Sequence, residues 1–223
     1  WVMDPANLID GPSAAIVVGG TLIATVLRSG RRDMALTLRA LCGLGRSSFD
    51  ADAVRAELAA QVQDIRTDGL LRAAPHAFHD AEFDEATGAL IAQRSIDALL
   101  AAHEAHKARR QRAAQAAVRT LAQAAELAPV FGLAGTLISL SQLPANGLAT
   151  GAFTGVISMA VLTTLYGLLL ANIVLAPLAR MVDRAAAREE AQRQEVVDWL
   201  AAQVAPAVPP RRAPAPVSAR EAA

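Results

Sequence analysis

From Leu127 to Ala179 the chain carries no Asp, Glu, Lys, Arg or His. Soluble domains are roughly a quarter charged, so a gap of this length needs a physical cause. A bilayer supplies one. A charge at mid-membrane costs about 2.5–3.5 kcal/mol on insertion scales, whereas each Leu, Ile or Val contributes roughly −0.3 to −0.6 kcal/mol. One membrane helix takes about 20 apolar residues, and the gap is long enough for two. Pro144-Ala145-Asn146-Gly147 marks a turn between them. The spacing predicts spans over residues 127–143 and 153–177, joined by a turn over 144–152. A third charge-free stretch, 11–27, lies at the short end of the spanning range. It reads as another span preceded by a connecting segment, 1–10; a buried helix of a soluble core is the alternative.

The charges themselves give the topology. There are 21 basic and 21 acidic residues, so global charge gives no reason to expect a nucleic-acid partner. Every Lys and Arg falls between Arg28 and Arg119 or between Arg180 and Arg220. Arg28, Arg31 and Arg32 abut the first span, Arg180 and Arg184 abut the last, and 144–152 has no charge at all. The positive-inside rule therefore expects 28–126 and the C-terminal region on the cytoplasmic side.

The middle region reads as helical. Ala51–Arg66 and Glu85–Glu126 are rich in Ala, Leu, Arg, Gln and Glu and nearly free of breakers. Ala73–Asp84, which contains Pro75, reads as their connection. Glu85–Glu126 is expected to run as one helix straight into the second span. Residues 178–204 continue the third span as a charged helix with Met181, Val182, Val196, Val197 and Leu200 as its apolar positions. From Ala205 the chain turns Pro- and Ala-rich, and 205–223 is expected to be disordered. The fold class is thus an all-α membrane protein, with three transmembrane helices extending into a helical cytoplasmic domain.

Enzymatic motifs are missing. There is no Walker A, no GxGxxG and no GxSxG. His76/His79 and His103/His106 are pairs at helical spacing, but neither has a Cys or third His beside it. His-Glu-Ala-His also lacks the HExxH spacing, so both pairs read as solvated polar surface, with no metal or cofactor implied. Cys42 is the single cysteine, which excludes an internal disulfide and fits a reduced compartment. The chain starts at Trp1, so residues are expected upstream; no secretory signal is recognisable.

Three groups of span residues stand out. Gly132, Gly135, Gly167 and Ala171, with Gly19, Gly20, Ala24, Ala134 and Ser139, allow close helix approach, within one chain or between copies. Pro129 and Pro177 lie toward the same membrane face on antiparallel helices; they are either plain kinks or hinges that carry membrane events to the cytoplasmic region. Thr136, Thr163 and Thr164 either satisfy backbone carbonyls or line a polar path for ions. Thr136 lies about two turns from Pro129, and Thr164 three to four turns from Pro177, so these two hydroxyls can meet at similar depth.

These residues resemble a known pattern. Ala128-Pro129-Val130-Phe131-Gly132-Leu133-Ala134-Gly135-Thr136-Leu137 is similar to the third membrane helix of the MotA family. Ala160-Val161-Leu162-Thr163-Thr164-Leu165-Tyr166-Gly167, with Ala171-Asn172 and Pro177, resembles the fourth. Pro12-Ser13 and Val17-Val18-Gly19-Gly20-Thr21-Leu22 resemble the second. Arg66-Thr67-Asp68-Gly69-Leu70-Leu71 resembles the family's cytoplasmic Arg-x-Glu/Asp-Gly-Leu-Leu stretch. The resemblance touches most of residues 7–180 and is thinnest in the cytoplasmic region. ExbB and TolQ share the Gly-Thr and Thr-x-x-Gly features; the Thr-Thr-Leu-Tyr-Gly and Val-Gly-Gly-Thr strings favour MotA.

The resemblance implies four family spans, of which the first is missing here. It implies a multi-pass protein of the bacterial inner membrane and a pentameric homo-oligomer around a dimer of a MotB-like partner. Ion flow, of protons or sodium, would turn this ring against a rotor protein. Pro129 and Pro177 match the family's coupling prolines, and Thr136 and Thr164 its pore-lining threonines. Arg66 matches a residue implicated in rotor contact; the acidic residue expected eight positions later is replaced by Ala74, with Asp64 or Asp68 as substitutes. One inference stands without the family. A proton path needs a titratable or strongly solvating group near mid-depth, and these spans carry no acid. The carboxylate must come from another chain, a single-span partner with an Asp. The alternatives are an ExbB/TolQ-like energiser of envelope transport and a non-conducting membrane scaffold.

Overall fold

The computed structural model describes residues 10–45, 49–69, 72, 78–141 and 150–208. All regular structure among them is helical: α1 (Gly11–Gly43), α2 (Ala51–Asp68), α3 (Ala81–Gln93), α4 (Ile96–Ser141), α5 (Thr150–Leu169) and α6 (Ala176–Val204). A π turn, Leu170–Leu175, joins α5 to α6, and a 3₁₀ turn, Ala205–Ala207, follows α6. Three helices are long and apolar enough to cross a membrane: Gly11–Gly43, Ile96–Ser141 and the continuous Thr154–Ala207. The predicted turn over 144–147 lies outside the described residues.

The chain divides into two compact units, Trp1–Ser48 with Arg109–Arg188, and Phe49–Ala108 with Glu189–Ala223. In the first, Asp10 caps α1, its carboxylate accepting from the Ser13 N–H at 3.2 Å, and Pro12 fits the first turn, where an N–H has no helical partner. Gly30 breaks α1 with φ 76°, a left-handed conformation that costs glycine little. Beyond it Ala40 and Leu41 of α1, with the capping residue Leu44, pack on a small core of Ala117, Leu121, Ala179 and Val182. The outward faces stay apolar: Leu27, Leu137 and Ile173 are 80%, 68% and 66% exposed. In water such a surface would aggregate; in lipid it is the expected one.

The end of the last span is built around Pro177. Having no N–H, it leaves the Ile173 carbonyl without its α-helical donor. The helix widens just before it, and the Ala176 N–H reaches back five residues to the Ala171 carbonyl. Asn172 donates from its side chain to the Leu168 carbonyl at 2.9 Å, satisfying another acceptor in the same stretch.

In the second unit, α2, α3, the start of α4 and the end of α6 bury Leu58, Val62, Ile65, Phe83, Leu90, Leu99, Val196, Val197, Leu200 and Val204 together. Three sequence expectations change here. The expected helix Glu85–Glu126 is two helices: α3 ends at Gln93, and Arg94 adopts φ 51° as its cap before α4 starts. Composition gave no breaker there, and a non-glycine residue in this conformation costs roughly 1–2 kcal/mol, offset by the packing of both helices. The connection before α3 is also shorter than expected, because Asp80 caps a helix that already begins at Ala81. And the C-terminal tail does not start at Ala205: Ala205–Ala207 form a 3₁₀ turn, and Ala207 and Val208 pack on the core.

His103 also departs from its reading as solvated surface. It is 2% exposed, with Nδ1 2.8 Å from Glu82 Oε1 and Nε2 3.2 Å from Gln194 Oε1. His106 is half-buried against Glu85 at 2.7 Å, whereas His79 is solvent-exposed. Beside His103, Arg193 donates to Asp80 at 2.7 Å, Glu82 at 3.0 Å and Glu189 at 2.9 Å, and its guanidinium lies 4.3 Å from the Phe49 ring centre. Burial works against its charge, but the hydrogen bonds it donates to Glu189 and Asp80 outweigh burial and push its pKa above the ordinary value. Arg193 therefore ties α6 to α3 and neutralises a carboxylate that is 5% exposed. Arg193→Met takes the cation away from Glu82 and Asp80, leaving Glu82 with His103 and Asp80 with its capping bond, and we expect it to cost about 3 kcal/mol of unfolding stability. A urea midpoint unchanged in Trp199 fluorescence would refute this.

Candidate functional site: the paired apolar helices

α4 and α5 touch through glycines. A Cβ on Gly132 would lie 2.9 Å from the Thr163 carbonyl oxygen and 3.3 Å from the Thr164 Cα. One on Gly135 would lie 2.8 Å from the Thr163 Cβ, and one on Gly167 2.7 Å from the Ala128 carbonyl oxygen. At these three positions even a methyl group is too large. The backbones therefore approach as closely as helices can, which is how association is driven where lipid gives no hydrophobic force. Ala171, the fourth small residue, is 5% exposed in the π turn. On the other side of α4, the Phe131 ring lies flush on Gly20 of α1.

The seam separates the three threonines. Thr163 is fully buried against Gly135, its hydroxyl donating to the Ala160 carbonyl at 2.9 Å. It belongs to the helix contact and offers no surface to a passing ion. Thr164 and Thr136 are half-buried. Thr164 donates to the same Ala160 carbonyl at 3.4 Å, and Thr136 to the Leu133 carbonyl at 2.6 Å. The antiparallel register, Gly135 against Thr163 and Gly132 against Thr164, sets the two about one turn apart, roughly 4–5 Å along the axis. Each spends its hydroxyl proton on its own helix. What remains on each oxygen is lone pairs, so both groups present acceptors and no donor.

The prolines flank this seam. Pro129 is half-buried, and its Cα would lie 3.2 Å from a Cβ on Gly167. Pro177 is half-buried beyond the π turn. Of the rotor-contact candidates, Arg66 lies exposed in the last turn of α2 and donates to Gln203 of α6 at 3.3 Å. The Asp68 side chain and Ala74 lie outside the described residues. Among the described residues no three His, Cys, Asp or Glu side chains come together as a metal site.

Several polar groups in this unit have a burial or a hydrogen bond that the sequence does not announce. Tyr166 accepts from the Asp10 N–H at 3.0 Å, fastening the start of α1 to α5. Ser139 is 1% exposed and donates to the Gly135 carbonyl at 2.8 Å. Thr21 and Thr25 are buried on α1; Thr25 donates to the Thr21 carbonyl at 2.6 Å, while the Thr21 hydroxyl has no hydrogen-bond partner among the described residues. The Gly-Gly-Thr string was the available signal for Thr21, since the Phe131 ring lies against the adjacent Gly20.

Comparison with known proteins agrees with this architecture. Motility protein A of Cereibacter sphaeroides is 26% identical over 207 residues, covering 87% of this chain and 78% of that protein. Motility protein A of Borreliella burgdorferi is 34% identical over 76 residues, covering 34% of this chain and 29% of that protein. The fold is that of the C. jejuni MotAB structure, with a TM-score of 0.80 at 16% identity over 92% of this chain and 82% of that one. The flagellar MotAB stator complex from Bacillus subtilis matches with a TM-score of 0.75 at 19% identity, over 89% and 80%. Residues 72–195, more than half the chain and including the whole glycine seam, match the MotA/TolQ/ExbB proton channel family, and the chain is a member of that family.

Proposed function

We propose that this chain is the MotA-like subunit of an ion-driven stator, coupling proton or sodium flow across the bacterial inner membrane to flagellar rotation. The observation that carries this reading is the contact of α4 with α5: from residue 127 on, the paired stretches carry no charge, and Thr136 and Thr164 leave hydroxyl lone pairs free there. Mid-membrane ion transfer needs a titratable group, so a single-span MotB-like partner supplies an Asp. Five copies of this chain surround two of that partner, as the resemblance to the MotA family implies. Thr136 and Thr164 accept a hydrogen bond from the protonated carboxyl, or help to coordinate the cation, through their free lone pairs. Neutralising the carboxylate weakens its hold on the ring and permits a step. The membrane potential supplies about 2.3 kcal/mol per charge per 100 mV, enough to bias one packing arrangement over another.

The arginines beside the spans orient the second unit to the cytoplasm. Pro129 and Pro177 are the points at which a change at the seam is passed along α4 and α6. Arg66, with Asp68 close by in sequence, faces the rotor. Purifying the chain with its native partner and measuring swimming as the ion gradient is varied tests the whole reading. A partner that binds peptidoglycan, together with gradient-dependent swimming, is the expected result. A periplasmic transducer as partner, with motility intact in its absence, would instead identify an ExbB/TolQ-like energiser. A complex through which no ion passes would leave a scaffold.

A further inference from the structure

The formal charge of zero conceals a sorted distribution. Twelve arginines stand against five acidic residues in the first unit, and nine basic against sixteen acidic residues in the second. In the first unit Arg28, Arg31, Arg32, Arg119 and Arg180 are exposed, and among the described residues none of the five has a hydrogen bond or ion pair. Three helices bring them to one level. The Ser29 hydroxyl donates to Gln123 Oε1 at 3.2 Å, which sets Arg28 beside Gln123 of α4. Arg119 follows one turn further along α4, about 6 Å. Ala117 and Leu121 pack on Ala179 and Val182, which brings Arg180 of α6 to the same belt. Arg31 and Arg32 come directly after the break at Gly30. Asp33, Glu126 and Asp183 are the acidic residues of these helix stretches, and they leave the belt in positive excess.

The belt sits where apolar surface stops. Leu27, next to Arg28, is 80% exposed, and Met181, next to Arg180, is 52% exposed. A ligand that covers both kinds of surface needs an acyl chain and an anionic head. The headgroup layer on each side of a bilayer is only about 5–7 Å deep, and an arginine stem reaches across that depth while keeping its charge at the phosphate. The planar guanidinium binds two phosphate oxygens at once, which an ammonium does not.

We propose that Arg28, Arg31, Arg32, Arg119 and Arg180 form a collar that binds the headgroups of anionic phospholipids around this subunit. The collar acts whichever ion the protein conducts. Arg112 lies about 10 Å along α4 beyond Arg119, and Arg188 about 12 Å along α6 beyond Arg180, too far from the headgroup layer to take part.

The test uses the full chain, purified in detergent, mixed with equal amounts of phosphatidylglycerol and phosphatidylcholine and weighed intact by native mass spectrometry. Each arginine near an anionic surface contributes about fivefold in affinity, so wild type should retain phosphatidylglycerol at least about tenfold over phosphatidylcholine. Changing the five collar residues to Gln should bring that ratio below about twofold, with helical content unchanged by circular dichroism. The double variant Arg112→Gln/Arg188→Gln should keep the wild-type ratio. Millimolar glycerol 3-phosphate should leave it unchanged, since a lone phosphate engages neither the acyl surface nor several arginines. The proposal is overturned by a wild-type ratio near one, by a collar variant that keeps its preference, or by displacement with glycerol 3-phosphate. Retention of an acidic polypeptide in place of lipid would also overturn it and would assign the collar to a protein partner.

Discussion

Gly167→Ala will abolish the stable α4–α5 hairpin and, with it, recovery of the intact protein from membranes. The added methyl would lie 2.7 Å from the Ala128 carbonyl oxygen and 3.2 Å from the Cα atoms of Pro129 and Gly132. All three are backbone, so no side chain can swing aside, and the helices have to part along the seam. Overpacking of this kind costs about 1–3 kcal/mol before lost contacts are counted, and the seam has little else to hold it. Gly155→Ala is the comparison: among the described residues nothing lies within 4 Å of its Cβ position, and alanine is the better helix former by about 1 kcal/mol. The prediction is checked by the yield and melting temperature of both variants in detergent. Equal melting temperatures for wild type and Gly167→Ala would mean that the seam does not hold the hairpin.

The double variant Thr136→Val/Thr164→Val should assemble normally and conduct almost nothing. Valine has nearly the shape of threonine, and each lost hydroxyl bond goes to a carbonyl on the same helix, so the fold is little disturbed. What disappears is two oxygen acceptors. A polar contact worth about 1–2 kcal/mol at each position corresponds to roughly a hundredfold fall in flux for the pair. Thr163→Val serves as the internal control, because its side chain is enclosed against Gly135 and should leave flux close to wild type. Ion uptake into vesicles carrying the complex measures all three. Full flux through the double variant would remove Thr136 and Thr164 from the ion path; loss of flux in Thr163→Val alone would move that path to the other side of α5.

Much of this was legible because lipid is a severe solvent. It forbids charge over a long interval, and the interval Leu127–Ala179 announces the hairpin without reference to any other protein. The small residues announced close packing but not its partner; only the contacts of Gly132, Gly135 and Gly167 resolve it as packing within one chain. Thr163 and Thr164 are neighbours in sequence and equal in chemistry, yet a rotation of about 100° hides one and half-exposes the other. Composition cannot make that distinction. The second unit was harder to read because its polar groups are settled by long-range pairing. His103 looked like a surface residue until Glu82, 21 residues earlier, and Gln194, 91 residues later, closed around it. Arg94 carried no sign of a helix end, since its left-handed conformation is imposed by the core on either side.

The widened turn at Leu170–Leu175 has a geometric consequence for anyone placing substitutions on this helix. It accommodates one residue more than an α-helical path of the same length, so the azimuth of every later side chain is offset by about 100°. A wheel drawn straight through from Thr164 would therefore put Pro177 and Arg180 on the wrong side of the rod. Residues before and after the widening need separate wheels, and a deletion of a single residue within it is taken up by return to an α-helical path, leaving the later side chains where they are.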